Sequence, residues 1–262
     1  MSDSSQDVPT TSLTEKGGLC RLCLENKPDM RAHIMAEGLM KLIHGQPEYD
    51  GRFIMVGPDL PRPINRPTGS YDRTILCRKC DNQLGSLDEV AIQFCKRTDL
   101  KPHPSGAAFT ITGVDAKKLK LFALSYVWRA SITNLDEYKG VSLGVHHEEM
   151  IRNMLIENNS GGADDYSVLI SKFKLPADKE KWGMHVLNPV ANRMDGINLV
   201  DVYLPNLYKL KVKVDRRPFT QGMGRMGLGA TDEILVLDMG EYTASQEFSI
   251  MHRAIMNTRS QS

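Results

Sequence analysis

The clearest pattern along the chain lies in AKKLKLFALSYVWRASI, where Leu121, Leu124, Val127 and Trp128 recur at the spacing of one helical face. Leu119 and Phe122 widen that stripe, and Arg129 is expected at its rim. Further helices are expected over HHEEMIRNMLIEN, over DNQLGSLDEVAIQFCKR with Leu84, Leu87 and Ala91 on one face, and over SQEFSIMHRAIMN. A shorter one is read between Asp29 and Ile43, where Ile34, Leu39, Leu42 and Ile43 carry the apolar spacing and His33 lies near its start. After NNSGGADD the period shortens: YSVLISKF, LVDVYLPNLYKLKVKVD and DEILVLDMG alternate or run apolar, as strands do. Proline and glycine crowd residues 45–70, which predicts a loop holding a short strand from Phe53 to Val56. RTILC reads as a strand, HPSGAAFTITGVD as a strand-like link, and RPFTQGMGRMGLGATD as a glycine-rich loop. No internal repeat is evident.

These elements divide the chain into a polar tail over residues 1–17, a small module over 18–100, a helical segment over 101–160 and a β-rich region over 161–262 with a short terminal helix. The class is α+β. The 262 residues, 41% hydrophobic and 25% charged, bury a substantial core without needing staples throughout. The net charge of +1 gives no global attraction to nucleic acid, so a basic binding surface has to be local. No run is long and apolar enough for a membrane span, and the first residues lack the apolar core of a signal peptide. A cytoplasmic protein is therefore expected, in a compartment where thiols stay reduced.

That expectation changes the reading of the cysteines. Cys20-Arg-Leu-Cys23 and Cys77-Arg-Lys-Cys80 are two identical turns, each able to aim two sulfurs at one ion. Together they complete the tetrahedral set that structural zinc prefers. The stretch between them exceeds what a simple zinc ribbon needs, yet loop entropy grows only logarithmically with length, so closure is not hindered. A redox pair is the competing account, but no thioredoxin-like context accompanies either turn. Cys95 falls on an apolar helical face and reads as a core residue.

With CRLC, AHIMAE and LCRKCD in this order, followed by KLFALSYVWRASI and VSLGVHHEEMIRNML, the chain resembles the HNH endonuclease-like (treble-clef, ββα-metal) family, in particular its poorly characterised bacterial and phage members. The resemblance covers about Leu19 to Leu155 and the β-rich remainder more loosely. It implies a zinc-stapled treble-clef module hydrolysing nucleic-acid phosphodiesters, DNA more than RNA. His33 matches the family's general base, which polarises the attacking water. Asp81 matches the position of the motif's last histidine, and Asp88, seven residues on, shares its helix face. Such carboxylates would suit magnesium or manganese. The sequence also departs from the pattern: Ala32 stands where a metal ligand is usual, Asp72 near the central asparagine position, and Met35-Ala36 where a proline is expected. The alternative is a catalytically inactive zinc module that binds nucleic acid or a partner protein.

Two further groups bear on partners. Arg62, Arg66, Arg73, Arg78 and Lys79 surround the second cysteine turn, and Lys209, Lys211 and Lys213 alternate with apolar residues, so one strand face is expected to be basic, extended by Arg216 and Arg217. Phosphate contact and an ordinary solvated face both account for that stripe. His146 and Glu149 could share a helix face and a metal, although an exposed first turn explains them as well.

Overall fold

The computed structural model describes residues 18–44, 54–55, 64–66, 68–175, 186–231 and 233–259. The polar tail, Arg62 and most of the proline-rich loop lie outside these. The fold is mixed α+β, as its sequence pattern predicts.

The N-terminal part begins with the first cysteine turn, then β1 (Ala32–His33) and α1 (Glu37–His44). The strand β2 (Ile54–Met55) pairs with β3 (Ile64–Asn65), and β4 (Tyr71–Asp72) returns antiparallel to β1. Then α2 (Arg78–Cys95) leaves the second cysteine turn. His33 is thus in a strand and not in a helix. The amide of Ile34 donates to the carbonyl of Ser70, which holds the chain extended, and the helix starts only at Glu37, an acid placed where the helix dipole favours it. Ile34, Leu39 and Ile43 are buried as their spacing predicts.

The strands β5 (Lys101–Pro102) and β6 (Ala108–Ile111) lead into α3 (Ala116–Ile132), which Asp115 caps by accepting from the amide of Lys118. The fourth helix, α4 (Gly144–Ile156), packs against α3. The rest of the chain supplies β7 (Val168–Lys174), β8 (Val190–Met194), β9 (Ile197–Leu204), β10 (Tyr208–Lys213), β11 (Ile234–Glu241) and α5 (Gln246–Arg259). Seven strands form one sheet in the order β5-β6-β11-β7-β10-β9-β8, antiparallel except where β11 runs parallel to β7. The link read at residues 103–115 therefore gives the C-terminal sheet a strand, β6.

The helix α3 sits at the centre. It is buried on every side, including Lys120, Ser125 and Arg129, so its apolar stripe understated its burial. One continuous apolar cluster runs from Cys20 through Leu84, Phe122 and Trp128 to Val202, Leu210 and Val236. The cysteine turns and the sheet thus share a core, with α3 between them. Among the described residues no helix is long and apolar enough to cross a membrane.

Candidate metal centre

The ligand atoms of Cys20, Cys23, Cys77 and Cys80 all lie within 4.8 Å of one another. The first turn is closed by hydrogen bonds from the amide of Cys20 to the carbonyl of Asn26 (2.6 Å) and from that of Leu24 to Cys20 (2.9 Å), with Leu24 in the left-handed region at φ 59°. It is tied to the second turn by the amide of Arg21, which donates to Ile75, and those of Asp29 and Met30, which donate to Leu76. Cys77 is the N-cap of α2 and Cys80 lies in its first turn, so the helix itself sets the angle between the second pair of sulfurs. The Asp29 carboxylate accepts from the amide of Arg78 at 2.7 Å and satisfies a donor of the helix start.

This donor set fits a tetrahedral thiolate ion such as zinc. The Sγ atoms of Cys23 and Cys77 are 4.0 Å apart, and a regular tetrahedron of Zn–S bonds has an edge of about 3.8 Å. Burial pushes the thiols of Cys20 and Cys80 up, so binding an ion there must release protons. At Cys23, burial raises the thiol too, but backbone hydrogen bonds from Asn26 and Glu25 outweigh it and bring it to about 6. Cys95 is apart from this group and fully buried, as its helical position predicts.

Around the cysteines, β1 and β4 carry the other candidates. His33 faces Tyr71 across the ladder, with ring centroids 5.9 Å apart. Burial lowers its pKa, with the Glu37 carboxylate pulling the other way, so the imidazole is neutral near pH 7. Its Nε2 is buried without a hydrogen-bond partner among the described residues.

Asp88 meets Arg129, which reaches across from α3. Nη2 lies 2.6 Å from one carboxylate oxygen, Nη1 lies 3.1 Å from the other, and Nη1 also donates to the backbone carbonyl of His33 at 2.9 Å. Arg129 is 2% exposed, which corrects its expected place at a rim. A guanidinium amid apolar side chains needs a carboxylate partner, and Asp88 supplies it. Asp72 is engaged as well: the amide and hydroxyl of Thr74 and the hydroxyl of Thr133 all donate to it. Burial opposes ionisation of Asp72, yet these hydrogen bonds hold it below the usual carboxylate range. Asp81 is half-buried one turn into α2, and its carboxylate makes no hydrogen bond or ion pair among the described residues. Burial pushes it up, Arg129 opposes this, and the charges of Asp88 and Asp29 add to it.

The donor set for magnesium or manganese is therefore thin. Ala32 has no ligand atom, Asp88 is held by Arg129, and among the described residues the four cysteines are the one group able to enclose an ion. Among the described residues the HHEE turn gathers no second group able to hold an ion. His147 pairs with the Tyr166 hydroxyl at 2.9 Å, Glu148 accepts from Ser131, Glu149 holds Arg152, and His146 contacts Arg216.

The expected basic strand face is also corrected. Lys209 and Lys213 are 5% and 0% exposed, Lys209 bonds Asp201 (2.9 Å) and Glu247 (2.6 Å), and Lys211 bonds Asp201 (3.1 Å). Alternation marked two faces of β10, but other elements cover both. Exposed cations occur instead beside the β1–β4 pair and on the second cysteine turn. The Arg31 guanidinium lies 4.1 Å and that of Arg73 lies 5.9 Å from the centre of the Tyr71 ring, with Arg78 and Lys79 exposed nearby in sequence. The contact of Tyr71 with two guanidiniums had no signal in the sequence, since an isolated aromatic beside a loop is unremarkable. Arg129 did leave one, as a charge between apolar positions of a helix.

Compared with known proteins, the chain matches no family, no curated protein and no solved structure.

Proposed function

We propose that residues 18–95 form a zinc-stapled module of HNH-like, treble-clef layout that contacts nucleic-acid phosphates through the face of its β1–β4 pair without hydrolysing them. The observation that carries this reading is the buried Arg129–Asp88 pair. It occupies the carboxylate that a catalytic cation would need, while Arg31, Tyr71 and Arg73 beside His33 offer cationic donors and an aromatic face. The order of parts supports the layout, with an insertion: a cysteine turn, β1, an insert carrying α1 and the β2–β3 pair, β4 returning antiparallel to β1, and a helix opening on the second cysteine turn. Zinc on Cys20, Cys23, Cys77 and Cys80 supplies folding energy and holds the first cysteine turn to the start of α2.

A second reading, a metal-dependent endonuclease with His33 as base and Asp81 and Asp88 as metal ligands, is favoured by one observation. The His33 imidazole is neutral, as a base must be, and sits on β1 next to Arg31. Because Nε2 is sealed, this reading assigns the proton to Nδ1. One experiment separates the two. Zinc-loaded full-length protein is incubated with labelled single- and double-stranded DNA and with RNA, plus magnesium or manganese, and both binding and cleavage are followed. The binding reading expects salt-sensitive affinity, weakened in Arg31→Ala and Arg73→Ala, with no cleavage. Nicking that vanishes in a folded His33→Ala variant overturns it in favour of the nuclease. Affinity that ignores both salt and these arginines sinks the phosphate contact at the β1–β4 pair itself.

A further inference from the structure

The four sulfurs of the candidate metal centre do not share one surrounding. Cys20, Cys77 and Cys80 are 0%, 4% and 3% exposed, whereas Cys23 is half-buried. The side-chain amide of Asn26, an exposed residue, donates to the Cys23 Sγ at 3.6 Å. On its inner side the same sulfur lies 4.0 Å from the Sγ of Cys77.

A thiolate is oxidised only where the oxidant can reach it. Coordination keeps every sulfur of such a centre deprotonated, so access and not charge separates the four. Cys20, Cys77 and Cys80 lie within the apolar cluster that also holds Leu22, Leu76 and Leu84. A small hydroperoxide arriving from solvent therefore meets Cys23 first.

Cys77 is placed to take the second step. It is the N-cap of α2, yet its side chain makes no capping hydrogen bond, so none is lost when the sulfur turns. The positive end of the helix favours the thiolate form that attacks. From 4.0 Å the two sulfurs need to approach by about 2 Å to bond.

We infer that Cys23 is the redox-sensitive ligand of this centre, with hydrogen peroxide as the oxidant and Cys77 as the resolving thiol. The Cys23 thiolate attacks one peroxide oxygen. The S–O bond forms, the O–O bond breaks, and hydroxide leaves as water with a solvent proton. The sulfur gives up two electrons and the peroxide gains them. The Cys77 thiolate then attacks the sulfenic sulfur; the S–S bond forms, the S–O bond breaks, and a second hydroxide leaves as water with another solvent proton. Cys20 and Cys80 alone do not complete a tetrahedral set, so the ion is released. The switch rests on the zinc reading of the four cysteines, and a thiol reductant with zinc reverses it.

The test uses the full-length protein, first assayed for bound zinc. Protein that cannot be loaded with zinc sinks the metal reading and the switch with it. Zinc-loaded protein is then treated with hydrogen peroxide. Zinc release is followed with a chromogenic chelator, and the cysteines are mapped by mass spectrometry without reduction. Each zinc released is expected to match one Cys23–Cys77 disulfide, with a sulfenic-acid trap labelling Cys23 first and thiol plus zinc restoring the starting protein. Cys23→His, which leaves a zinc-competent set of three cysteines and one histidine, is expected to slow release about tenfold or more. Where that variant does not hold zinc, the wild-type map decides. Zinc-loaded wild type that oxidises first at another cysteine, joins a different pair, or keeps its zinc under excess peroxide overturns the switch alone. Equally fast release from a zinc-loaded Cys23→His variant overturns it too.

Discussion

Arg129 joins three parts of the molecule at a single guanidinium: α3, which carries it, Asp88 on α2, and the backbone of His33 on β1. Removing one partner of such a buried pair strands the other charge, whereas replacing both removes the problem. Arg129→Met is therefore expected to cost about 3–5 kcal/mol in urea unfolding. The double variant Arg129→Met with Asp88→Leu should recover much of that loss, and a double variant no more stable than the single one would refute the pairing as the cause. His33 gives a prediction in pH. Its folded pKa lies below the ordinary 6.5, so between the two values the unfolded chain binds more protons than the native one. Stability from this residue is full above 6.5 and is lost as pH falls through that value toward the folded pKa. A His33→Phe variant should accordingly lose less Tm than wild type between about pH 7.5 and pH 5.5, a difference measurement that cancels acid release of metal. Identical slopes for the two proteins would contradict it. At this scale the cysteine pairs were legible, because two-residue spacing is a local property. Which carboxylate was free was not, because Arg129 approaches Asp88 from 41 positions further along the chain.

Among the elements, the strands and long helices followed their hydrophobic periods: α3, α4, β7, β9, β10 and β11 all form where apolar residues recur at 3.6 or 2.0. His33 did not follow, since the spacing of Ile34, Leu39 and Ile43 continues backwards across it while its hydrogen-bonding partner, the segment around Ser70, is remote. The helix α5 shows how a basic strand becomes a docking device. Lys209 bridges Asp201 on β9 and Glu247 on α5, and Met251 and Phe248 pack beside Phe173 and Tyr242. Lys209→Met should leave Glu247 without its lysine and Asp201 with only Lys211 and Asn192, cost about 1–3 kcal/mol, and speed hydrogen exchange in α5 before the central sheet. Uniform acceleration across the chain would show that α5 has no separate opening. DNA affinity should be unchanged in this variant, since Lys209 is not at the surface.

For the molecule as a whole, the shared core dictates what can be removed. Cys20 and Leu84 belong to the same apolar cluster as Val202 and Val236, with α3 between them. Truncation after Leu155 should therefore leave the sheet-facing side of α3 bare and yield insoluble or unfolded protein; a soluble, cooperatively folding fragment would refute this. Stripping zinc with a strong chelator, or Cys77→Ser, should lower Tm and loosen residues 18–95 first, because the ion binds only the folded arrangement. Unchanged stability after complete metal removal would mean that hydrogen bonds between the turns suffice. Local periodicity and thiol spacing together determined the α+β class, most elements and the four-cysteine centre, since each depends on neighbours along the chain. Only the tertiary structure decided that Asp88 belongs to Arg129, that Lys209 and Lys213 are buried, and that Arg31 and Arg73 meet at Tyr71 beside the β1–β4 pair. Burial and ion pairing are set by what packs from elsewhere, and one strand's alternation carries no record of the elements that cover it.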